Sequence, residues 1–231
     1  MKTFTHTRVG EHGRLGNQLW QIMSTAGLAA EAGARVHVRP DWKYREWITL
    51  PPEWYEPPEG EVVDTSTLGD GYLQDVAMLP DKAHRFQWLY PTDAGRSKIA
   101  STIGQLVTDG WGPFQYSTGV HVRRTDYLDP WRPHGCLPLE WYQRNWPDGQ
   151  VYVFSDEPTW CEDNLPGKVV HTGVDWLDWY LLSMCGAHVI SNSSFAWWAA
   201  YRKAGPVVCP DPWFQGETRH MLVEGWTPAA W

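Results

Sequence analysis

The apolar positions change period along the chain, and each change marks an element. "TFTHTRV" reads as an extended strand and "GEHGRLGN" as a loop after it. Leu19, Ile22, Met23, Ala26, Ala29 and Ala30 then recur at helical spacing, Gly33 closes that helix, and "RVHVR" (35–39) begins a second strand. Strand, loop, helix and strand in this order make a βαβ unit. From about 40 to 80 the period dissolves in "PDWKYREWITLPPEWYEPPEGE", whose consecutive prolines forbid regular helix. Its many Trp and Tyr residues predict irregular structure with short strands instead of a disordered linker. Residues 93–109 predict a helix that leads into the second half.

After 115 the alternation returns. "TGVHVR", "VYVFSD", "KVVH", "AHVI" and "PVVCP" read as strands, the last being the final one. Between them, "PLEWYQRNW" (138–146), "PTWCEDN", "DWLDWYLLSMCG" (175–186) and "SFAWWAAYRKAG" read as helices or helical turns. In 175–186, Trp176, Leu177, Tyr180, Leu181 and Met184 share a side, and Gly205 ends the following helix. Strands alternating with helices at this rhythm predict an α/β fold with parallel sheet.

Composition narrows the possibilities. With 42% apolar residues the 231-residue chain is an ordinary globular one, and no internal repeat or low-complexity tract occurs. A formal net charge of −8 argues against a broad basic face for nucleic acid but leaves room for a local basic pocket. No apolar run approaches the roughly 18 residues of a membrane span, so no transmembrane segment is expected. "MKTFTHTRVGEHG" lacks the apolar stretch of a signal peptide. Cys136, Cys161, Cys185 and Cys209 stand far apart without a Cys-x-x-Cys pair, which predicts reduced thiols and a cytoplasmic protein. Cys185 and His188 are too few ligands for a metal, so none is expected there. Seventeen tryptophans either pack the fold or line a sugar site with flat faces.

In open α/β sheets, ligands bind beyond the carboxyl ends of the strands. Three polar clusters fall there: His121-Val122-Arg123-Arg124-Thr125-Asp126, Ser155-Asp156, and Ser191-Asn192-Ser193-Ser194. The last opens a helix, where a cap needs one Ser or Asn and a phosphate seat uses several. Arg123 and Arg124 have two readings. Either Arg124 pairs with Asp126 while Arg123 faces solvent, or the two permanently charged forks hold an anion. A diphosphate leaving group needs such donors as charge develops on it. No Asp-x-Asp occurs, so arginine would do the work of a divalent cation. "GRLGNQLWQ" (13–21) is neither a Walker loop nor a full Gly-x-Gly-x-x-Gly; it is a tight strand-to-helix connection or a close backbone approach to a ligand.

"GRLGNQLWQ", "GVHVRRTDY", "HGCLPLEWY", "VFSDEPTWC" and "ISNSSFAWWAA" come in the order seen in the α1,2-fucosyltransferase family, which this chain resembles nearly end to end. That family shows Gly-Gly-Leu-Gly-Asn-Gln, His-x-Arg-Arg-x-Asp-Tyr, Phe-Ser-Asp and Ser-Asn-Ser-Ser-Phe-Ser-Trp-Trp. Here Arg14 stands where its second glycine is, and Ala196 where the later serine is. The resemblance implies an α/β, GT-B-like architecture of two Rossmann-like halves facing across a cleft. Residues 1–114 would form the acceptor side and 115–231 the nucleotide-sugar half.

The resemblance further implies an inverting, metal-independent transfer of fucose from GDP-fucose to a glycan hydroxyl, with galactose O2 the expected acceptor atom. Arg123 and Arg124 would hold the diphosphate, with His121 touching the nucleotide or bracing the loop. Asp156 and the stretch Asn192, Ser193, Ser194, Phe195 would complete the donor pocket. Gly13, Gly16, Asn17 and Gln18 would face it from the first half. The base is Asp126 or Asp129. The rival readings are a transferase for another nucleotide sugar or a non-glycan acceptor, and a catalytically silent nucleotide- or glycan-binding protein of the same fold.

Overall fold

The computed structural model describes residues 1–80, 88–131, 135–203, 205–214 and 221–231. Two compact units divide at Ser101/Thr102. That division falls inside helix α2 (Asp93–Thr108), earlier than the 114/115 boundary drawn ahead of the next strand. His134, first residue of the "HGCLPLEWY" motif, lies outside the described residues, as does Ala204 of "SFAWWAAYRKAG".

In the first unit β1 (Lys2–Thr5) lies between β2 (Arg35–His37) and β3 (Glu61–Asp64), all parallel, with Phe4 opposite Val36 and Val63. Helix α1 (Leu15–Glu31) joins β1 to β2 and completes the expected βαβ unit. It ends as predicted: Gly33 has φ +59°, and the Gly33 and Ala34 N–H groups donate to Ala30 O and Ala29 O. Glycine relieves the left-handed strain, and the two bonds satisfy carbonyls that the helix leaves open.

The apolar stripe of α1 is only part of what is buried. Leu19, Ile22, Met23, Ala26 and Ala29 are covered, but so are Gln18, Gln21, Ser24 and Thr25, while Ala30 is exposed. The buried polar groups find internal partners: Ser24 Oγ donates to Leu73 O at 2.9 Å, and the Thr25 and Thr65 hydroxyls meet at 2.6 Å. The irregular stretch predicted from 40 to 80 does this covering. It contains 3₁₀ turns at Pro52–Tyr55, Thr65–Thr67 and Val76–Met78 around the single strand β3.

The second unit is a six-stranded parallel sheet in the order β6-β5-β4-β7-β8-β9. The strands are β4 (Thr118–Val122), β5 (Val151–Ser155), β6 (Lys168–Val170), β7 (Ala187–Val189), β8 (Val207–Asp211) and β9 (Thr227–Ala230). Helices α3 (Leu139–Arg144), α4 (Pro158–Asn164), α5 (Asp175–Met184) and α6 (Ser194–Tyr201) connect successive strands from β4 to β8. Val120, Val122, Val151, Val153 and Val189 meet Leu137, Trp141, Tyr142, Cys161 and Leu165 in the core. The chain grows outward from β4 through β5 to β6. It then returns along α5 and continues from β7 on the other side of β4. The strand order therefore reverses between β4 and β7, and there the flanking loops leave in opposite directions and open a crevice.

Three expectations are corrected. "PVVCP" is not the final strand, because β9 pairs parallel with β8 at the sheet edge. Its sequence "TPAA" carries little strand propensity, and Pro228 is tolerated because an edge strand has one unpaired side. Gly205 does not end α6, which stops at Tyr201. A Cβ on Gly205 would stand 2.4 Å from Gly186 O, so a close approach of backbones requires this glycine. On α5, Trp179 and Leu182 are fully buried while Tyr180 and Met184 are only partly so. This helix packs against both β4 and α6, and one predicted side was too narrow.

Candidate functional site

The three polar clusters belong to neighbouring strands. Arg123 and Arg124 follow β4, Ser155 closes β5 and leads into Asp156, and Ser191 to Ser194 connect β7 to α6. Contacts join them across the sheet. Arg123 Nη1 donates to Asp156 Oδ2 at 2.7 Å, and its Nη2 pairs with Asp126. The hydroxyl of Tyr127 donates to Asn192 O at 3.2 Å, and Asn192 Nδ2 donates to Gly135 O at 3.0 Å. His121 Nδ1 and Ser191 Oγ share a hydrogen bond of 2.8 Å.

The side-by-side guanidiniums diverge on leaving the strand. Arg124 Nε donates to Glu157 Oε2 at 2.9 Å, and its guanidinium lies 3.8 Å from the centre of the Trp160 ring. Its backbone N–H donates to Asp156 Oδ1 at 3.0 Å. Neither half of the structural pairing read from the sequence survives. Asp126 pairs with Arg123 instead of Arg124, and the Arg123 side chain is only 13% exposed. Each arginine has its own acidic partner, so repulsion between them is answered by carboxylates without any ligand. The cluster counts two positive side chains (Arg123, Arg124) against three negative ones (Asp126, Asp156, Glu157), a formal net of −1.

The fork is not exhausted. A guanidinium has five N–H donors, and Arg123 uses two on Asp156 and Asp126, leaving three without a protein acceptor among the described residues. No Arg123 nitrogen is a buried atom without a partner, so the remaining donors are open to water or to the oxygens of a ligand. Asp156 is heavily engaged: Oδ1 accepts from Arg124 N–H, and Oδ2 accepts from Arg123 and the Thr125 hydroxyl. Asp126, at 34% side-chain exposure against 15% for Asp156, is the more accessible partner.

At the other side of the crevice, Ser193 precedes α6 in extended geometry and makes no side-chain cap hydrogen bond. Ser193 is therefore not present as a side-chain cap. Asn192 and Ser193 are buried, whereas Ser194 and Phe195 are half-buried, and the Phe195 ring lies 5.4 Å from that of His121. Burial outweighs the attraction of Asp156 and pushes the His121 pKa down to about 3, so its ring is neutral at neutral pH.

The remaining predicted residues are Asp129 and four residues of the first unit. Asp129 is exposed and accepts the backbone N–H of Trp131 at 3.0 Å, a turn within its own loop. In the first unit, Gly13 has φ +85° and its carbonyl accepts from Gln18 Nε2 at 2.8 Å. Gln18 Oε1 accepts from Trp42 Nε1 at 2.9 Å, and Asn17 Oδ1 accepts from Gln74 Nε2 at 3.0 Å. Gly16 is buried in the first turn of α1. Gln18 thus ties the glycine loop to Trp42 through the two ends of its amide.

Sequence reasoning missed Glu157, Trp160 and Tyr127 as members of the cluster. Tyr127 sat inside the "HVRRTDY" stretch and could have been weighed with it. Glu157 follows Asp156 directly, and an acidic pair beyond a strand end is a signal for arginine partners. Trp160 offered none, since its role depends on α4 turning its ring beneath Arg124.

The description Glycosyl transferase family 11 matches residues 80–209, more than half of the chain. An "O-antigen biosynthesis glycosyltransferase WbnK" of Escherichia coli is 32% identical over 131 residues, which cover 48% of this chain and 43% of that protein. An "Alpha-1,2-colitosyltransferase" of Escherichia coli is 30% identical over 44% of this chain and 42% of its own length. The human "Galactoside alpha-(1,2)-fucosyltransferase 1" is 30% identical over 85% of this chain and 65% of its own length. The chain thus spans between about two-fifths and two-thirds of the length of these relatives.

Proposed function

The chain belongs to glycosyl transferase family 11, and from that premise we propose that it moves fucose from GDP-fucose to a glycan hydroxyl, O2 of galactose, with inversion and without a metal. The observation that carries the reading is Arg123: a largely buried guanidinium at the sheet's switch point with three unspent N–H donors. A diphosphate supplies the planar pairs of oxygens that such a fork matches, and its charge rises as the glycosidic bond breaks. The start of α6 behind Ser193, whose side chain makes no cap hydrogen bond, supports the same reading, because a helix N-terminus favours anions.

In this reading the acceptor oxygen forms its bond to the anomeric carbon from the face opposite the leaving group. The bond from that carbon to the diphosphate oxygen breaks, and GDP departs with the electron pair held by Arg123. Because the cluster begins at a formal −1, the diphosphate takes the place of Asp126 on Nη2, while Asp156, held by Arg124 N–H and Thr125, keeps the fork aligned. Asp126, so released, takes the acceptor proton. Asp129 is set aside as base because its carboxylate is engaged by Trp131 N–H. Neutral His121 ties β4 to the β7–α6 connection through Ser191. Arg124 belongs to the scaffold more than to the donor, given Glu157 and Trp160. Four free thiols, three of them buried, agree with a cytoplasmic setting.

The human relative's name supports fucose and galactose, whereas the name of the colitosyltransferase relative favours a second reading with a different donor sugar. Mass spectrometry after incubation with GDP-fucose, other nucleotide sugars and lactose, all in excess EDTA, decides between them. The expected result is fucosyl-lactose plus GDP. Product from another donor alone replaces the sugar, a strict need for added manganese or magnesium removes the arginine argument, and binding without turnover makes the protein a silent binder.

A further inference from the structure

All seventeen tryptophans of the chain lie in described residues, and only Trp131 is exposed, at 91%; the others are buried or half-buried. An indole face left in water stays free to stack on the apolar face of a ligand. Trp131 lies on the loop that leaves the carboxyl end of β4, after the 3₁₀ turn Thr125–Leu128 that carries Asp126 and Tyr127. Two residues separate it from Leu128, itself 49% exposed, and the three Cα–Cα steps between them span at most about 11 Å. The loop is not slack at this point. Asp129 accepts the Trp131 N–H at 3.0 Å, and Pro130 between them has a fixed φ.

From this placement we infer that Trp131 is the platform on which the acceptor sugar stacks, and that Asp129 is a positioning residue which sets the platform's backbone. The inference rests on the transferase reading above and gives it an acceptor class: a pyranoside with an apolar C–H face, as β-galactosides have. The axial C–H bonds of such a ring carry partial positive charge and suit the negative face of an indole. A sugar resting on this loop approaches the fork from the solvent side, as an acceptor must when the donor diphosphate occupies the interior. The pairing also accounts for Asp129, an acidic residue in the loop that touches neither guanidinium.

Steady-state transfer from GDP-fucose to lactose in wild type, Trp131→Ala, Trp131→Phe and Asp129→Ala tests it, with GDP affinity measured separately by calorimetry. Trp131→Ala should raise the KM for lactose about tenfold with GDP affinity unchanged. Trp131→Phe should restore most of the loss, and Asp129→Ala should fall between. An unchanged KM in Trp131→Ala overturns the inference, and so does an equal loss of GDP affinity, which would mark the loop as part of the donor pocket. If wild-type protein transfers nothing to any acceptor, the transferase reading fails first. Saturation-transfer NMR with methyl β-galactoside then decides the platform on its own. Loss of the sugar C–H signals in Trp131→Ala sustains it, and equal signals in both proteins overturn it.

Discussion

At the scale of single residues, Arg123 and Arg124 show how identical neighbours acquire different work. The backbone turns between them, so one fork faces Asp126 and Asp156 and the other faces Glu157 and Trp160. Substitution should separate them. Removing Arg123 outright strands Asp156 in a largely buried position, and breaking such a pair commonly costs about 3–5 kcal/mol. Lysine is therefore the more informative change. Arg123→Lys keeps the charge but cannot bridge two carboxylates and a diphosphate. Turnover should fall about a hundredfold or more, with a loss of stability smaller than that of Arg123→Ala. Arg124→Lys loses the stacking over Trp160 and should lower stability with a milder effect on turnover. Melting temperatures and initial rates of the two lysine variants check this, and equal rate losses in both would undo the distinction.

At the scale of elements, α1 carries the sharpest test of packing. Gly27 sits inside a helix, where Ala is ordinarily better by about 1 kcal/mol. A Cβ at Gly27 would stand 1.9 Å from Met78 O, a backbone atom that cannot swing aside. Gly27→Ala should therefore destabilise the protein by about 2 kcal/mol, in the range of overpacked cores. Urea denaturation measures it, and a gain in stability would mean that the 76–79 segment does not lie on α1. The same contact explains why the amphipathic stripe of α1 was legible but its full burial was not. The covering segment is a chain of 3₁₀ turns without a hydrophobic period. In β9 the signal failed for a related reason: an edge strand needs only a pairing partner, and "TPAA" advertises none.

At the scale of the whole molecule, buried histidines govern the response to acid. Burial lowers the pKa values of His6, His121 and His188, the last two to about 3 and about 4. In the unfolded chain each binds its proton near pH 6.5. Between that value and the folded one the unfolded state holds more protons, so stability is complete above pH 6.5 and is lost as pH falls below it. Asp178, whose pKa burial raises, opposes the trend by one group against three. Each excess proton is worth about 1.4 kcal/mol per pH unit. Urea unfolding at pH 7.5, 6 and 5 should therefore show stability falling by at least that slope below pH 6; a flat profile would mean that these rings are not held neutral. Among the described residues no helix is long and apolar enough to cross a membrane.

What the residues determine by themselves is local. The period of the apolar positions specifies strands and helices in order, and their alternation specifies parallel sheet, because a crossover helix leaves the next strand running the same way. Gly33 and the polar clusters at strand ends are equally local, and they placed His121, Arg123, Asp156 and Ser193 at one end of one sheet before any coordinates. Only the tertiary structure decided who pairs with whom. Arg123 meets Asp156 because β5 lies beside β4, and His121 meets Ser191 because β7 lies on its other side, seventy residues away along the chain. Strand order is set by how the helices pack on both faces, and no window of sequence contains that. The exposure of Trp131 is likewise a fact about what fails to cover it, and covering is a property of the folded whole.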